Sequence, residues 1–129
     1  HRLEPLGEVA GVRWINDSKA TNPNAATAGL RALDGPVILL AGGSSKDADF
    51  TDFASTIRER TRMAILFGTT RNTLREAIGS GHPVSVVETL EQAVEMARAQ
   101  AHPGDTVLLG PACASFDQFE SYAARDAGK

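Results

Sequence analysis

Residues 36–47 read PVILLAGGSSKD. Five apolar residues in a row, 37–41, stand between Asp34-Gly35-Pro36 and Gly42-Gly43. A strand with one face in water alternates apolar and polar residues, and this run does not alternate. It therefore predicts a strand buried on both faces, which belongs in a parallel sheet covered by helices. No apolar run in the chain is longer than these five residues, far too few to cross a bilayer.

The same alternation of apolar runs and helix-period segments extends in both directions. Upstream, Asn22-Pro23 is a helix start. Asn caps, and Pro in the first turn lacks only an N–H that would have no partner there. This helix is expected to run to about Leu33. Before it, residues 3–9 and 12–16 read as two short strands joined around Ala10-Gly11. Downstream come a helix over 51–60, a strand over 63–67 stopped by Gly68, a helix over about 72–78 and a strand over 84–87. Thr89-Leu90-Glu91-Gln92 is a capping box opening a helix whose Leu90, Ala93, Val94, Ala97 and Ala101 form one apolar stripe. A strand over 106–109 follows the turn Pro103-Gly104-Asp105. A second capping-box pattern, Ser115-Phe116-Asp117-Gln118, opens the last helix. The expectation is one α/β domain over 1–129. Its mostly parallel, Rossmann-like sheet carries helices on both faces and is preceded by a short strand pair.

The totals narrow the function. The 129 residues are 42% hydrophobic and 22% charged with a net charge of −3, ordinary globular composition. That balance argues against a nucleic-acid partner, since no basic stripe is present to displace counterions. One cysteine, Cys113, excludes an intrachain disulfide and a Cys-rich zinc site, and fits a reducing, cytoplasmic setting. The opening HRLEPLGE has no apolar core of a signal peptide, and no membrane segment is expected. It starts at His1 and leads straight into a strand, as expected of a piece of a longer or processed chain. His1, His82 and His102 are scattered, with no metal-ligand or triad spacing, so no metal site is expected.

Ligands of such sheets bind beyond the carboxyl ends of the strands. Three unusual loops share that position: 16–22 (NDSKATN), 42–49 (GGSSKDAD) and 110–115 (GPACAS). If 16–22 stays extended, Asp17, Lys19 and Thr21 share one face, and a lysine with a nearby hydroxyl suits a carboxylate or phosphate. A solvated loop with a surface ion pair is the alternative reading of the same spacing. Gly42-Gly43 lets backbone approach a ligand closely, with Lys46 to neutralise it, although a plain glycine turn explains the string as well. Neither GxxxxGK[ST] nor GxGxxG occurs. Ser115 stands where a helix N-terminus offers free N–H groups to an anion, or simply caps that helix. Tyr122 lies two turns along the same face. Cys113, between alanines and with no base identifiable near it, reads as a packed small residue rather than a nucleophile.

Taken together, HR at 1–2, GVRWINDSKATN at 11–22, LLAGGSSKDADF at 39–50 and LLGPACASFDQF at 108–119 resemble the C-terminal domain of the bacterial Mur ligases. Within that family they resemble the branch that joins D-glutamate to UDP-N-acetylmuramoyl-L-alanine. The resemblance implies two further domains absent from this chain, an N-terminal UDP-binding domain and a central ATPase domain that holds Mg2+. It implies an acyl phosphate made with ATP, attacked by the amino group of D-glutamate. By position it gives Arg2, Asp17 and Lys19 to the ATP side, with Lys19 facing the reacting phosphate as the catalytic residue. Thr21, Lys46 and Ser115 hold the D-glutamate carboxylates, with Phe116 and Tyr122 lining that pocket. The chain alone is expected to bind no cofactor and to be inactive. Three departures stand out: Asp47 where the family usually has glycine, Gly110 where serine is usual, and a shortened tail, ARDAGK. A stand-alone anion-binding module and a sibling amino-acid ligase are the competing readings.

Overall fold

The computed structural model describes residues 3–45 and 47–113. Six strands and four helices follow one another: β1 (Glu4–Val9), β2 (Val12–Asn16), α1 (Pro23–Arg31), β3 (Val37–Gly42), α2 (Thr51–Arg60), β4 (Met63–Phe67), α3 (Arg71–Ile78), β5 (Val84–Val86), α4 (Leu90–Gln100) and β6 (Thr106–Ala112). They form one sheet in the order β1-β2-β6-β3-β4-β5. β1 is antiparallel to β2, and every other pairing is parallel.

The continuous apolar run at 37–41 forms β3, buried along its whole length. Its residues divide between two cores. Val37, Leu39 and Ala41 point to the core shared with α1, α2 and α3, where Leu30, Phe53, Ile57 and Leu74 pack. Ile38 and Leu40 point to the opposite core with Leu90, Ala93, Val94 and Ala97 of α4. Burying each Leu or Ile side chain contributes about 2 kcal/mol. The placement of helices follows from strand order. Steps from β2 to β3, β4 and β5 all run one way across the sheet, and the step from β5 back to β6 reverses. Right-handed crossovers then set α1–α3 on one face and α4 on the other.

The local start signals act as expected. Asn22 Oδ1 accepts the Ala25 N–H at 2.9 Å and opens α1 with Pro23 in its first turn. Thr89 and Gln92 form both halves of the capping box of α4. The β1–β2 hairpin closes through Ala10 and Gly11, both left-handed (φ 53° and 81°), as a two-residue hairpin turn requires. α1 ends at Arg31, short of Leu33.

One expectation is corrected at the end of the sheet. β6 does not stop at 109 but continues to Ala112, with a register irregularity against β3 between Leu40 and Gly42. Leu109 and Ala112 take part in pairing while Gly110 and Pro111 lie between them, and Pro111 has no N–H for a ladder. The last sequence-predicted helix and its Ser115–Gln118 capping pattern lie outside the described residues.

Candidate functional site

β6 lies between β2 and β3, so the loops leaving these three strands emerge side by side at one edge of the sheet. Backbone bonds tie them together. The Asp17 N–H donates to the Leu109 carbonyl at 2.9 Å, and the Ala112 N–H donates to the Ala20 carbonyl at 2.8 Å. The convergence expected from sequence order is therefore physical, and it brings the NDSKATN segment against the end of β6.

The conformation of that segment differs from the extended reading. Ser18 N–H donates to Asn16 Oδ1, and Ala20 N–H donates to the Asp17 carbonyl, each at 2.9 Å, so residues 17–20 form a tight turn. Thr21 N–H then bonds the Lys19 carbonyl at 2.9 Å. The turn breaks the alternation that an extended strand would impose. Ala20 is driven into the core at 1% exposure and Asp17 is buried at 2%, whereas Lys19 and Thr21 are exposed. The three side chains do not form one graded face. Lys19 and Thr21 offer an ammonium and a hydroxyl to solvent at the rim, and Asp17 sits beneath them. Burial pushes the Asp17 carboxyl up from 3.8 to about 6, because removing a carboxylate from water penalises its charged form.

The loop after β3 is shaped by glycine. A Cβ on Gly42 would lie 2.0 Å from the Phe67 carbonyl oxygen, and its φ of 140° disfavours any other residue. Asp47 is left-handed at φ 56° and exposed. Aspartate is one of the few non-glycine residues that accept this conformation, so its presence where the family resemblance leads one to expect glycine has a backbone reason. Asp49 accepts from the Thr51 N–H at 2.9 Å and the Thr51 hydroxyl at 2.6 Å as α2 begins, and these bonds hold its carboxyl below the usual range.

At the end of β6, Ala112 is also left-handed (φ 65°), and Cys113 is fully buried, as its alanine neighbours predict. Burial pushes the Cys113 thiol up, away from the thiolate a nucleophile needs. Gly110 has only ordinary contacts around a notional Cβ, the nearest 3.5 Å from Leu39.

Sequence reasoning overlooked a fourth loop, Gly68-Thr69-Thr70, between β4 and α3. It packs directly on the Gly43 loop: a Cβ on Gly68 would lie 2.7 Å from the Gly43 nitrogen. Both threonines bond the Gly43 carbonyl. The available signal was a glycine directly after a second fully buried strand, the same pattern as in β3.

Arg2, Lys46, Ser115, Phe116 and Tyr122 lie outside the described residues. Leu3, Ser45, Asp47 and Cys113 are the described residues nearest to them in sequence. Among the described residues no three His, Cys, Asp or Glu side chains group as metal ligands, and no helix is long and apolar enough to cross a membrane. An apolar groove of about 220 Å³ lined by Val9, Val12, Trp14, Ala101 and Pro103 lies at the opposite ends of β2 and β6, away from these loops. Arg98 on its rim pairs with Glu95.

Comparison with known proteins agrees with this geometry. The model of the Mur ligase, glutamate ligase domain matches residues 1–113. UDP-N-acetylmuramoylalanine–D-glutamate ligase of Chromohalobacter salexigens is 48% identical over 97% of this chain and 28% of its own length. The enzyme of the same name from Pseudomonas fluorescens is 45% identical over 97% of this chain and 29% of its own length. The chain thus spans just over a quarter of these relatives. Among solved structures, a UDP-N-acetylmuramoyl-L-alanyl-D-glutamate–2,6-diaminopimelate ligase superposes with a TM-score of 0.69 at 15% identity, over 99% of this chain and 32% of its own, a likeness of fold. Escherichia coli FolC in complex with ADP superposes with a TM-score of 0.60 at 26% identity, over 88% of this chain and 28% of its own. Parallel strands whose loops gather an ammonium and a hydroxyl at one edge, and a family match over most of its length, lead to one conclusion: this chain belongs to the Mur ligases, as their glutamate ligase domain.

Proposed function

We propose that this chain binds D-glutamate and closes the active site of a ligase joining D-glutamate to UDP-N-acetylmuramoyl-L-alanine. That reaction would use ATP, in the cytoplasm of a bacterium building peptidoglycan. The observation that carries the reading is the side-by-side emergence of the loops after β2, β6 and β3, with Lys19 and Thr21 exposed where they meet. The 41–48% identical relatives carry the D-glutamate ligase name, which favours this branch over a sibling amino-acid ligase.

D-Glutamate brings two carboxylates and one amine. A hydroxyl at Thr21 and an ammonium at Lys46 supply charge-assisted partners for the carboxylates, with Ser115 at the start of the last sequence-predicted helix as the third. Phe116 and Tyr122 line the same pocket. Lys19, exposed on the tight turn, is the catalytic residue in this reading. Its charge stabilises the negative charge that builds on the acyl phosphate oxygens as the amine attacks. Arg2 and Asp17 serve the nucleotide side. Asp17 is 2% exposed, so a contact between its carboxyl and the nucleotide requires the 17–20 turn to rearrange.

In this reading magnesium belongs to the central domain, as the family resemblance implies, and the base that takes the proton from the amine is placed there with it. The sequence contains no phosphate-binding P-loop, and ligation is expected only when the UDP-binding and ATPase domains are part of the same chain.

The test is steady-state kinetics of the full-length ligase. Thr21→Ala removes one charge-assisted hydrogen bond, about 1.5–3 kcal/mol, and should raise the KM for D-glutamate about tenfold or more while the KM for ATP holds. Unchanged D-glutamate KM values in both Thr21→Ala and Lys46→Ala would refute the reading.

A further inference from the structure

The Gly43 carbonyl receives three donors from a single loop. Thr69 Oγ1 donates at 3.1 Å, Thr70 Oγ1 at 3.2 Å and the Thr70 N–H at 3.2 Å. A carbonyl has two lone pairs, so this oxygen is saturated and its peptide plane has no freedom to turn. Gly43 itself is left-handed (φ 133°), and its peptide sets the direction in which Ser44, Ser45 and the chain towards Lys46 leave β3.

Thr70 also faces the other loop. It is 7% exposed, and its hydroxyl lies 3.5 Å from Cys113 Sγ at the end of β6, two residues before Ser115. Thr70 is the N-cap of α3, where a threonine side chain ordinarily accepts an N–H of its own helix; here it makes no such bond. Its hydroxyl is committed to Gly43 and Cys113, on two neighbouring strands' loops, at the expense of its own helix.

We propose that Thr70, assisted by Thr69, is a positioning residue for D-glutamate. It holds the Gly43 and Cys113 ends of two loops at a fixed spacing, so that the groups those loops carry reach both carboxylates of one ligand. This rests on the D-glutamate reading above. A spacer of this kind acts on the affinity for the amino acid and leaves the nucleotide side untouched, because neither threonine contacts the 17–21 turn through any of these bonds.

The experiment compares the full-length ligase with its Thr70→Val, Thr70→Ser and Thr69→Val variants, measuring KM for D-glutamate and for ATP. Thr70→Val keeps the shape and deletes the hydroxyl. It is expected to raise the D-glutamate KM at least fivefold with the ATP KM within twofold, and Thr70→Ser is expected to restore it. A D-glutamate KM within twofold of the parent in Thr70→Val, or an equal rise in both KM values, overturns the proposal. If Thr70→Val does not fold, exposed Thr69→Val carries the test. A selective two- to threefold rise supports the proposal, and no rise overturns it. Thr21→Ala run in parallel separates the two failures. If it raises the D-glutamate KM while Thr70→Val does not, only the positioning role falls. If Thr21→Ala and Lys46→Ala are both silent, the D-glutamate reading itself falls.

Discussion

Replacing Asp17 by asparagine should make this chain more stable at neutral pH. The Asp17 residue is 2% exposed, and burial lifts its carboxyl from 3.8 to about 6. Below 3.8 the group is protonated in both the folded and the unfolded chain and exerts no pH effect. Between 3.8 and about 6 the unfolded chain releases the proton and the folded chain retains it. The folded state therefore loses ground as pH rises through this window. Above it both states are ionised and the loss is complete. At about 1.4 kcal/mol per pH unit, the two ends of the window differ by about 3 kcal/mol. Asp17→Asn is neutral at every pH and close to isosteric, so it removes this penalty. Urea unfolding of the parent and the variant at intervals from pH 4 to pH 7.5 reads the effect. Other carboxylates titrate in both proteins and cancel in the difference. The gap between the two proteins should be near zero at the acid end, grow through the window and level off at about 2–3 kcal/mol in favour of the variant. Parallel profiles, or a variant less stable at pH 7 than at pH 4 relative to the parent, would refute the reasoning that burial dominates this carboxyl.

Two further perturbations test the frame around the site. Gly42→Ala places a Cβ 2.0 Å from the Phe67 carbonyl oxygen at a φ of 140°, and the β3–β4 pair must move to relieve it. The expected loss is about 4 kcal/mol or more, seen as a collapse of the urea midpoint or insoluble protein, and a loss under 1 kcal/mol would contradict the packing described. Arg62 grips Asp105 with two bonds, 3.3 and 2.7 Å, and Asp105 is 4% exposed. Burial alone would push that carboxyl up, but the bonds from Arg62 and the His102 N–H, with the guanidinium charge, outweigh it and hold it below its usual value. Its contribution is present at neutral pH and is lost as pH falls through the lowered value. Arg62→Ala should cost about 2–3 kcal/mol at pH 7, less than for a wholly buried pair because the arginine is partly in water, and the cost should shrink in acid.

Much of the fold is legible from local rules. Residues 37–41 could not alternate, so they had to be covered twice, and β3 is buried along its whole length. Asn22-Pro23 and Thr89–Gln92 announced helices because capping is settled within four residues. The order of strands and helices marked one edge of the sheet as the place to look, and the loops after β2, β3 and β6 do meet there.

What tertiary contacts decided lies in the details of that edge. The local bonds of Asn16 and Asp17 permit a turn at 17–20, but the same string also fits an extended segment, and local chemistry does not choose between them. The turn is selected where Ala20 is buried and its carbonyl is bonded by Ala112 from β6, more than ninety residues away. That one contact parts Asp17, beneath the surface, from Lys19 and Thr21 above it. The bonding of Thr70 was hidden for the same reason. As a residue before a helix it reads as a cap, and only the approach of Gly43 and Cys113 from neighbouring strands takes its hydroxyl elsewhere. Apolar pattern and capping are properties of adjacent residues and can be read in order. The direction of a buried carboxylate or a shared hydroxyl depends on which strands become neighbours, and that is settled only when β6 enters between β2 and β3.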